Sequence, residues 1–526
     1  MASPSVTGST LPPAVTPELI ARLAGTVVSD GTREPHRLVE VFTGAEVGAL
    51  PQSTTTDVDR AFGAAREAQR EWAAWPLDRR LAVFARAHAM ILAEHDLIAD
   101  LIQVGSGKNR RMAFEESCDV PMVISHYLKV ARRLLRPARR GGPVPLFSSS
   151  TEVHRPKGVV GVIAPWNFPF AMALSDATPA LMAGNGIVLK PDNKTALAAL
   201  YGVELLLRAG LPEGLFQVVC GDGPDVGPTL IDNSDFVMFT GSSATGRVVG
   251  ERAGRDLIGC SLELGGKNPM IVLDDVDLDE AIPTAIFSVF ANAGQACMHI
   301  ERMYVQDDVF DEFARRFVEA VAALRVEAGY DYSSDMGSLA SSEQLARVSA
   351  QVDEAVALGA TALCGGHALP DVGPAFYAPT VLTGVTPDMR IAIAETFGPV
   401  VALHRFRTDD EAVAAANDTR YGLNASVLGS DPHRCNRIGS RLQAGNVNIG
   451  DGFAASFASK GTPSGGWKES GVGTRHGDAG LLKYTDTANV AVLKKQLLLP
   501  RPGVRYEKHV AQTLATLTWM RRLRIR

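Results

Sequence analysis

One cysteine, one glutamate and one asparagine have the residue types and neighbours that chemistry at a carbonyl carbon requires. Cys297 closes the small-residue stretch "NAGQAC", and its thiolate would be a nucleophile. Glu263 lies in the apolar run "SLELGG", where a carboxylate is either a partnered structural group or a base with a shifted pKa. Asn167 lies between two prolines in "PWNFP", so its amide either stabilises an oxyanion from a stiff loop or satisfies the loop backbone. From residue types and neighbours alone, the catalytic and the structural interpretations of these residues both stay open.

The other cysteines suggest neither a metal centre nor disulfides. No C-x-x-C pair or Cys/His cluster has metal spacing, so no metal is predicted. Packing thiols in a reducing compartment are predicted at Cys118, Cys220, Cys260, Cys364 and Cys435. His299, two positions after Cys297, keeps open a Cys–His hydrolase or acyl-transferase that would need no dinucleotide.

A phosphate-binding turn is a further candidate feature. The G-x-G-x-x-G motif is absent, but "FTGSSATG" follows a strand-like run and should open a helix. Gly241 allows close backbone approach, and Ser242 with the first free N–H groups of the helix could face a phosphate. A plain turn before a helix is the competing interpretation.

Alternating elements must position these residues. Residues 56–136 have apolar residues at helical spacing. After Glu152, the β-rich runs "GVVGVIAP", "GIVLKP", "FQVVCG" and "DFVMFTG" alternate with helical stretches, which predicts parallel βαβ units. A second block from Gly265 contains "NPMIVL", "RMYVQ", "TALCGG" and "VVALHRF", and the chain becomes extended after Leu482. The fold class predicted is α/β.

Composition excludes several classes of protein. The chain has 526 residues, enough for three or four domain-sized units, and its formal net charge is −6. Binding of nucleic acid is not predicted, because no basic face is evident. The start lacks the basic and apolar regions of a signal peptide, and the longest uncharged run is broken by prolines. A cytoplasmic protein is expected.

Six motifs taken together resemble the aldehyde dehydrogenase superfamily. "PWNFP", "LKP", "FTGS", "LELGGKNP", "NAGQAC" and "ETFGPV" occur in this order, and the resemblance covers roughly residues 40–490. Runs such as "FTGSSATG", "ELGGKNPMIV" and "DMGSL" are most similar to the second-type actinobacterial NADP-dependent succinic-semialdehyde dehydrogenases. The resemblance implies oxidation of an aldehyde to an acid with NAD(P)⁺ through a cysteine thiohemiacetal and thioester.

The resemblance also implies residue roles. Cys297 would be the nucleophile, Glu263 the general base, and Asn167 with the Cys297 N–H the oxyanion hole, while Lys190 would belong to both the catalytic and cofactor sets. Cofactor contacts are implied for Trp166, Asn167, Lys190, Pro191, Asp192, Asn193, Gly241, Ser242, Leu264, Glu395 and Phe397.

The implied architecture is two Rossmann-like parallel-sheet domains and a small β oligomerisation arm. A flexible tail, 1–20, would precede a cofactor-binding domain of residues 21–136 and 156–264. Residues 265–477 would form the catalytic domain, and 137–155 with 478–500 the arm of a homodimer or homotetramer. The remaining segment, 501–526, would be a basic amphipathic extension.

Departures from the family pattern bear on the ligands. Asn193 replaces a glutamate of NAD-preferring relatives, so NADP is expected, with NAD possible. Ser175 and Ala291 stand where arginines would hold a succinate carboxylate, which leaves a broad-specificity aliphatic or aromatic aldehyde dehydrogenase as the alternative. Candidate carboxylate partners are His299, Lys460 and Lys468.

The C-terminal extension carries a formal charge of +6 over residues 501–526. Its apolar residues fall on one helical face: Val510, Leu514, Leu517 and Met520. Packing on its own oligomer is the favoured interpretation, and contact with acidic lipid is the alternative.

Overall fold

A helical layer and a parallel sheet make up the first half of the chain. The computed structural model describes residues 11–142, 147–494, 499–500 and 502–522. Thr54 begins the second helix with a capping box, because its side chain accepts from the Asp57 N–H while Asp57 accepts from the Thr54 N–H. The helices are Pro17–Ala24, Thr55–Ala74, Leu77–Ala93, His95–Ser106, Arg110–Leu135, Pro169–Ala183, Ala196–Arg208, Gly223–Asn233 and Ser243–Arg255.

The first sheet has six strands within the described ranges. In spatial order they are Gly471–Val472, Gly259–Glu263, Phe236–Thr240, Val159–Ile163, Gly186–Lys190 and Phe216–Val218. Only Gly471–Val472 is antiparallel to its neighbour in this sheet. The chain order reverses at Val159–Ile163, because the next strands extend to one side and the later strands to the other. Such a reversal opens a crevice at the carboxyl ends of the strands, where ligands bind in open α/β sheets.

The second sheet has seven strands in the part of the chain that the structure describes. In spatial order they are Thr361–Cys364, Thr380–Thr383, Val400–Phe406, Ile300–Gln306, Asn268–Val272, Asn424–Leu428 and Asn446–Ile449. The helices that cover it are Leu278–Phe290, Asp307–Ala322, Ser342–Ala357, Arg390–Ile393, Asp409–Asn417 and Pro432–Gly439. Its central strands are buried along their whole length, as parallel strands covered on both faces usually are.

Smaller elements complete the fold. A three-stranded antiparallel sheet has the order Thr485–Leu493, Ser148–Pro156, Ala138–Gly141. Two antiparallel pairs join His36–Val39 to Glu46–Leu50 and Tyr421–Gly422 to Trp467–Lys468. The short helical segments are Asn193–Thr195, Ala291–Gly294, Ala454–Ala458 and Gly477–Leu482, and the last helix is Tyr506–Arg522.

Most predicted elements are confirmed, and so is the α/β class with two parallel sheets. The predicted tail 1–20 is wrong over residues 11–20, because Leu19 and Ile20 are buried in the helix Pro17–Ala24. Strand Thr361–Cys364 is antiparallel, not part of a βαβ unit. Gly471–Val472 lies in the predicted catalytic segment yet pairs with the first sheet. The division into domains otherwise remains a prediction.

The C-terminal helix is exposed on all sides in the single chain. Val510, Leu514 and Leu517 are each exposed by about half, and no residue of Tyr506–Arg522 is buried. No helix in the described ranges is both long and apolar enough to cross a membrane. Residues 501 and 523–526 of the predicted extension lie outside the described residues.

Candidate active site

A cavity of about 480 Å³ lies where the two sheets meet. The strands adjacent to the reversal point, Val159–Ile163 and Phe236–Thr240, end at its wall, so the loops that follow them contribute lining residues. Nine of the residues with an implied catalytic or cofactor role line it: Trp166, Asn167, Gly241, Ser242, Glu263, Leu264, Cys297, Glu395 and Phe397. The structure thus brings the predicted nucleophile, base and amide to one space.

The loop before Cys297 has an unusual left-handed backbone. Asn292 and Ala293 both have φ of 52°, and Gly294 follows with φ of 69°. A Cβ on Gly294 would lie 2.0 Å from the carbonyl oxygen of Gly398, so no other residue fits there. Small residues beside a nucleophile would leave room for ligands. At Gly294 the reason is different, because the close neighbour is the protein's own backbone.

Two asparagine side chains hold the loop around Cys297 through hydrogen bonds to its backbone carbonyls. The Asn268 amide donates to the carbonyl oxygens of Cys297, at 2.8 Å, and His299, at 2.7 Å. The Asn424 amide donates to the Met298 carbonyl at 2.9 Å. Both asparagines are buried, so these bonds are not in competition with water. Sequence reasoning assigned these residues no role, although Asn268 lies within the "LELGGKNP" motif.

Asn167 is tied to the same loop. Its Nδ2 donates to the Gln295 carbonyl at 3.0 Å, and Asn292 donates to both the Asn167 and Gln295 carbonyls. An amide carries two N–H donors. The second donor of Asn167 is not hydrogen-bonded within the described residues, and the residue lines the cavity that Cys297 lines. A rigid donor is therefore available beside the thiol.

Glu263 is a buried carboxylate with an unpaired oxygen. It ends the strand Gly259–Glu263 and is 6% exposed, and its Oε1 has no hydrogen-bond partner in the described part of the chain. Burial raises its pKa to about 7, against the opposing effect of the cations Arg475 and Lys483. A carboxyl with this pKa can both accept and release a proton near neutrality.

Arg475 supplies fixed positive charge at the same wall. Its guanidinium donates to both carboxylate oxygens of Asp176, at 3.2 and 2.8 Å, and to the Thr240 hydroxyl at 2.7 Å. Thr240 is the register partner of Glu263 in the first sheet, which places the cation beside the predicted base. No sequence signal could have found this pair, because Asp176 and Arg475 are 299 residues apart.

The Cys297 thiol is half-buried and protonated at rest. Burial raises its pKa to about 12, Glu395 and Glu263 raise it further, and Arg475 opposes them. A thiol attacks a carbonyl only after losing its proton. The nearby carboxyl groups are therefore needed as proton acceptors, or another positive charge must arrive with the ligands.

Glu395 and Phe397 are positioned by a buried ion pair. Glu301 accepts from Lys267, from the Thr396 N–H at 2.9 Å and from the Phe397 N–H at 3.0 Å. Glu395 in turn accepts from the Gly266 N–H at 2.9 Å, and burial raises its pKa to about 7.

Phe397 also forms an aromatic part of the cavity wall, together with Trp166. Its ring meets the Trp166 ring edge-on, with centroids 5.3 Å apart, and its φ of 56° is rare for a bulky residue. Backbone bonds to the buried Glu301 hold this conformation.

The "LKPDN" residues lie at the end of strand Gly186–Lys190, outside the cavity lining. Lys190 Nζ donates to the Pro191 carbonyl at 3.3 Å, and Asp192 caps the short helix that contains Asn193. The Asn193 side chain donates to Gln52 Oε1 at 3.1 Å and to Asp222 Oδ1 at 3.4 Å, and accepts from the Gly221 N–H at 3.1 Å. Asn193 is therefore a structural anchor as well as a neutral group.

Gly241 and Ser242 open the helix Ser243–Arg255 at the cavity. Ser242 is its N-cap and accepts from the Thr245 N–H at 3.2 Å, so its hydroxyl is partly engaged. Leu264 lines the cavity and packs on Gly246, where a Cβ would lie 2.4 Å from the leucine side chain. The backbone N–H groups of the first turn still point out of the helix end, as an anion site requires.

The remaining candidates are separated by the structure. His299 Nδ1 pairs with the Ala296 carbonyl and its Nε2 lies 3.2 Å from Glu301, so it is not a partner of the thiol. Lys468 is exposed and donates to the carbonyls of Asn417 and Thr419. Neither residue lines the cavity.

Three other residues lie closer to the cavity. Lys460 is buried against Asp119 at the cavity wall. Ser175 and Cys118 line the cavity themselves, so Cys118, predicted as a packing thiol, is partly accessible from it.

Known proteins are similar to this chain over most of its length. The family description "Aldehyde dehydrogenase family" matches residues 27–490. A Mycolicibacterium smegmatis protein provisionally named succinate-semialdehyde dehydrogenase [NADP(+)] is 48% identical over 90% of this chain and 91% of its own length. The Escherichia coli succinate-semialdehyde dehydrogenase [NADP(+)] GabD is 35% identical over 84% and 91%.

Solved structures of the same fold are also similar. A Staphylococcus aureus betaine aldehyde dehydrogenase in complex with NAD⁺ superposes with a TM-score of 0.86 at 28% identity, covering 93% of this chain and 100% of that one. The chain belongs to the aldehyde dehydrogenase family. The resemblance stated from the sequence is confirmed.

Proposed function

We propose that this protein oxidises succinate semialdehyde to succinate with NADP⁺, using Cys297 as nucleophile and Glu263 as general base. The observation that carries the proposal is that both side chains, with the Asn167 amide, line one cavity at the meeting of the two sheets. The names of the mycobacterial and E. coli relatives support the substrate and the cofactor.

The residues support a two-stage reaction. The Cys297 thiol loses its proton to a nearby carboxylate or to water, and the sulfur forms a bond to the aldehyde carbon. The carbonyl oxygen becomes an oxyanion, which the Asn167 amide and the Cys297 N–H stabilise. Collapse of this oxyanion expels a hydride from the same carbon and leaves a thioester on Cys297.

Hydrolysis of the thioester completes the turnover. Glu263 takes a proton from a water molecule, whose oxygen attacks the thioester carbon. The carbon–sulfur bond then breaks, the acid leaves, and the thiolate of Cys297 is released. The Glu263 carboxylate, which lines the cavity, is the acceptor that this step needs.

The dinucleotide fits the crevice at the reversal point of the first sheet. When bound, it accepts the hydride. The first turn of Ser243–Arg255, opened by Gly241 and Ser242, would hold the phosphates, and Glu395 and Lys190 would hold the riboses. Gly265 supports the fit, because a Cβ there would lie 2.3 Å from Glu395 Oε2 and displace it. Neutral Asn193 and the nearby Lys194 admit the additional phosphate of NADP.

A broad-specificity aldehyde dehydrogenase is the second candidate. Much of the cavity wall is apolar, with contributions from Phe168, Met172, Leu423, Phe453 and Phe457. These side chains suit aliphatic or aromatic aldehydes. A Cys–His hydrolase is disfavoured, since His299 faces Glu301 rather than the thiol.

A substrate panel tests the proposal. Reduced nicotinamide should form with succinate semialdehyde faster than with butyraldehyde, and kcat/KM with NADP⁺ should equal or exceed that with NAD⁺. Cys297→Ala should abolish oxidation while retaining NADP⁺ binding by fluorescence titration. Turnover by Cys297→Ala would refute the mechanism, and equal kcat/KM for the two aldehydes would favour the broad-specificity candidate.

We also propose a cytoplasmic homodimer or homotetramer built through the three-stranded sheet. Its edge strand Thr485–Leu493 leaves Val490 and Val492 about half exposed, which suits an additional pairing surface. Light scattering after size-exclusion chromatography would give the mass in solution. A monomer would contradict this part of the proposal.

A further inference from the structure

Lys460 lies behind one wall of the aldehyde cavity. It is 5% exposed, and its Nζ donates to Asp119, to the Phe457 carbonyl at 2.6 Å, and to His476 Nε2 at 3.3 Å. Asp119, Phe457 and His476 all line the cavity. The lysine is thus one side chain away from the space that the substrate occupies.

These contacts fix the protonation of His476. An ammonium group has three protons and no acceptor, so Lys460 donates to Nε2 and the imidazole carries its own proton on Nδ1. Nδ1 has no hydrogen-bond partner in the described part of the chain, and it is not sealed from solvent. His476 is only 7% exposed and lines the cavity, so the cavity is where this unpaired donor can meet a ligand.

The backbone of His476 is held in a conformation that glycine normally occupies. Its φ is 61° and its ψ is −179°. Backbone bonds on both sides enforce this, since the Gly477 N–H donates to the Lys460 carbonyl at 3.0 Å and Ser464 pairs with Arg475. Strain of this kind persists where surrounding structure over-determines it, commonly at ligand sites.

The charges around His476 favour an anion. Burial holds its pKa well below the usual value, and the next causes are cations, Lys460, Arg475 and Lys483. Asp119 does not oppose an anion there, because one of its oxygens accepts from Lys460 and the other from Ser175. The positive end of this neutral ion pair faces the imidazole.

We propose that His476, with Lys460 as its positioning residue, anchors the carboxylate at the far end of the substrate. The inference rests on the proposed oxidation of succinate semialdehyde. The carboxylate accepts a hydrogen bond from His476 Nδ1 and lies in the field of the Lys460 ammonium. This accounts for Ser175 and Ala291, which lack the cationic side chains that were expected there, since the cation is supplied from a different segment.

The test compares succinate semialdehyde with butyraldehyde, which has the same chain length and no charge. In His476→Leu, kcat/KM for succinate semialdehyde should fall roughly ten- to a hundredfold, mostly through KM, because one hydrogen bond to a charged group is lost. For butyraldehyde it should stay within about twofold. If His476 had a purely structural role, the substitution would lower kcat/KM for both substrates alike.

Lys460 is tested without leaving a buried charge unpaired. The double variant Lys460→Met/Asp119→Asn removes the ion pair as a unit, and it should reproduce the selective loss, whereas Lys460→Arg should retain most of the preference. Lys468→Met is the matched control, since this exposed lysine donates only to backbone carbonyls away from the cavity.

The outcomes separate the two proposals. If the wild type does not prefer succinate semialdehyde, the proposed substrate fails and this inference fails with it. If the wild type does prefer it and the preference survives in both His476→Leu and the double variant, the anchor is overturned while the proposed function stands. Should His476→Leu lose activity on butyraldehyde as well, the double variant decides.

Discussion

Titration of Glu263 gives the sharpest test of the proposed chemistry. Its pKa is raised to about 7 by burial, so the ionised fraction should rise from about one tenth at pH 6 to about nine tenths at pH 8. Thioester hydrolysis needs the ionised form, and its rate should therefore increase about tenfold over this range. Glu263→Gln should abolish the increase and leave the acyl-enzyme to accumulate.

The assay separates the two stages in time. In a stopped-flow experiment with excess aldehyde, the first turnover appears as a burst of reduced nicotinamide, and the slower phase reports hydrolysis when hydrolysis limits. The slower phase of the wild type should follow the ionisation of Glu263. Glu263→Gln should keep the burst and lose the slower phase, with acyl-enzyme visible as an added mass on Cys297.

The same pKa predicts a stability change of known sign. The native state holds a proton on Glu263 between pH 4.5 and about 7, where the unfolded chain has released it, so stability is lost as pH rises through this range. The rise from 4.5 to about 7 corresponds to about 3 kcal/mol. Urea unfolding at pH 8 should thus find Glu263→Gln more stable than the wild type, with the difference vanishing near pH 4. A pH-independent difference, together with a flat rate of hydrolysis, would refute the assignment of Glu263 as the titrating base.

Three further predictions concern the loops around the site. Asn167→Ala should lower kcat about a hundredfold or more with little change in NADP⁺ affinity, measured by steady-state kinetics and titration, since one oxyanion donor is lost; an unchanged kcat would exclude Asn167 as that donor. Asn193→Glu should raise the NAD⁺ to NADP⁺ ratio of kcat/KM and lower Tm, because glutamate cannot donate to Gln52; an unaltered ratio would exclude this position as the discriminating one. Gly294→Ala should reduce activity and Tm because of the 2.0 Å contact with Gly398, whereas Gly227→Ala, which meets nothing within 4 Å, should leave both intact.

The elements that the sequence predicted well are those with strong periodicity. Helices Thr55–Ala74 to Arg110–Leu135 and the apolar strands of the first sheet follow directly from it. Strands Asn424–Leu428 and Asn446–Ile449 were missed, because asparagine and serine side chains break up their short apolar patterns. Those polar residues hold neighbouring loops: Asn424 donates to Met298, which no pattern of hydrophobicity encodes.

The residues of the active site likewise divide into those that the sequence identified and those that only the folded structure reveals. Cys297, Glu263 and Asn167 were identified because short motifs surround them, and all three line the cavity. Arg475 and His476 were not, because their significance depends on Asp176 and Lys460, which approach only in the folded chain. Long-range ion pairs leave no local trace in sequence, so tertiary structure was needed to find them.

The short strand Gly471–Val472 determines when the site can form during synthesis. Gly471 pairs with Glu263 and Val472 with Leu262, so the edge beside the base is completed by a segment made about 200 residues later. At a translation rate of roughly 5–20 residues per second, the preceding sheet waits about 10–40 s for this strand. The nascent chain therefore contains Cys297 before the strand that ends at Glu263 has its last neighbour. Arg475, four residues after Gly471, is synthesised at the same late stage. Catalytic competence should appear only after residues up to Arg475 have left the ribosome, because a chain that stops before Gly471 lacks both this edge strand and the cation beside Glu263.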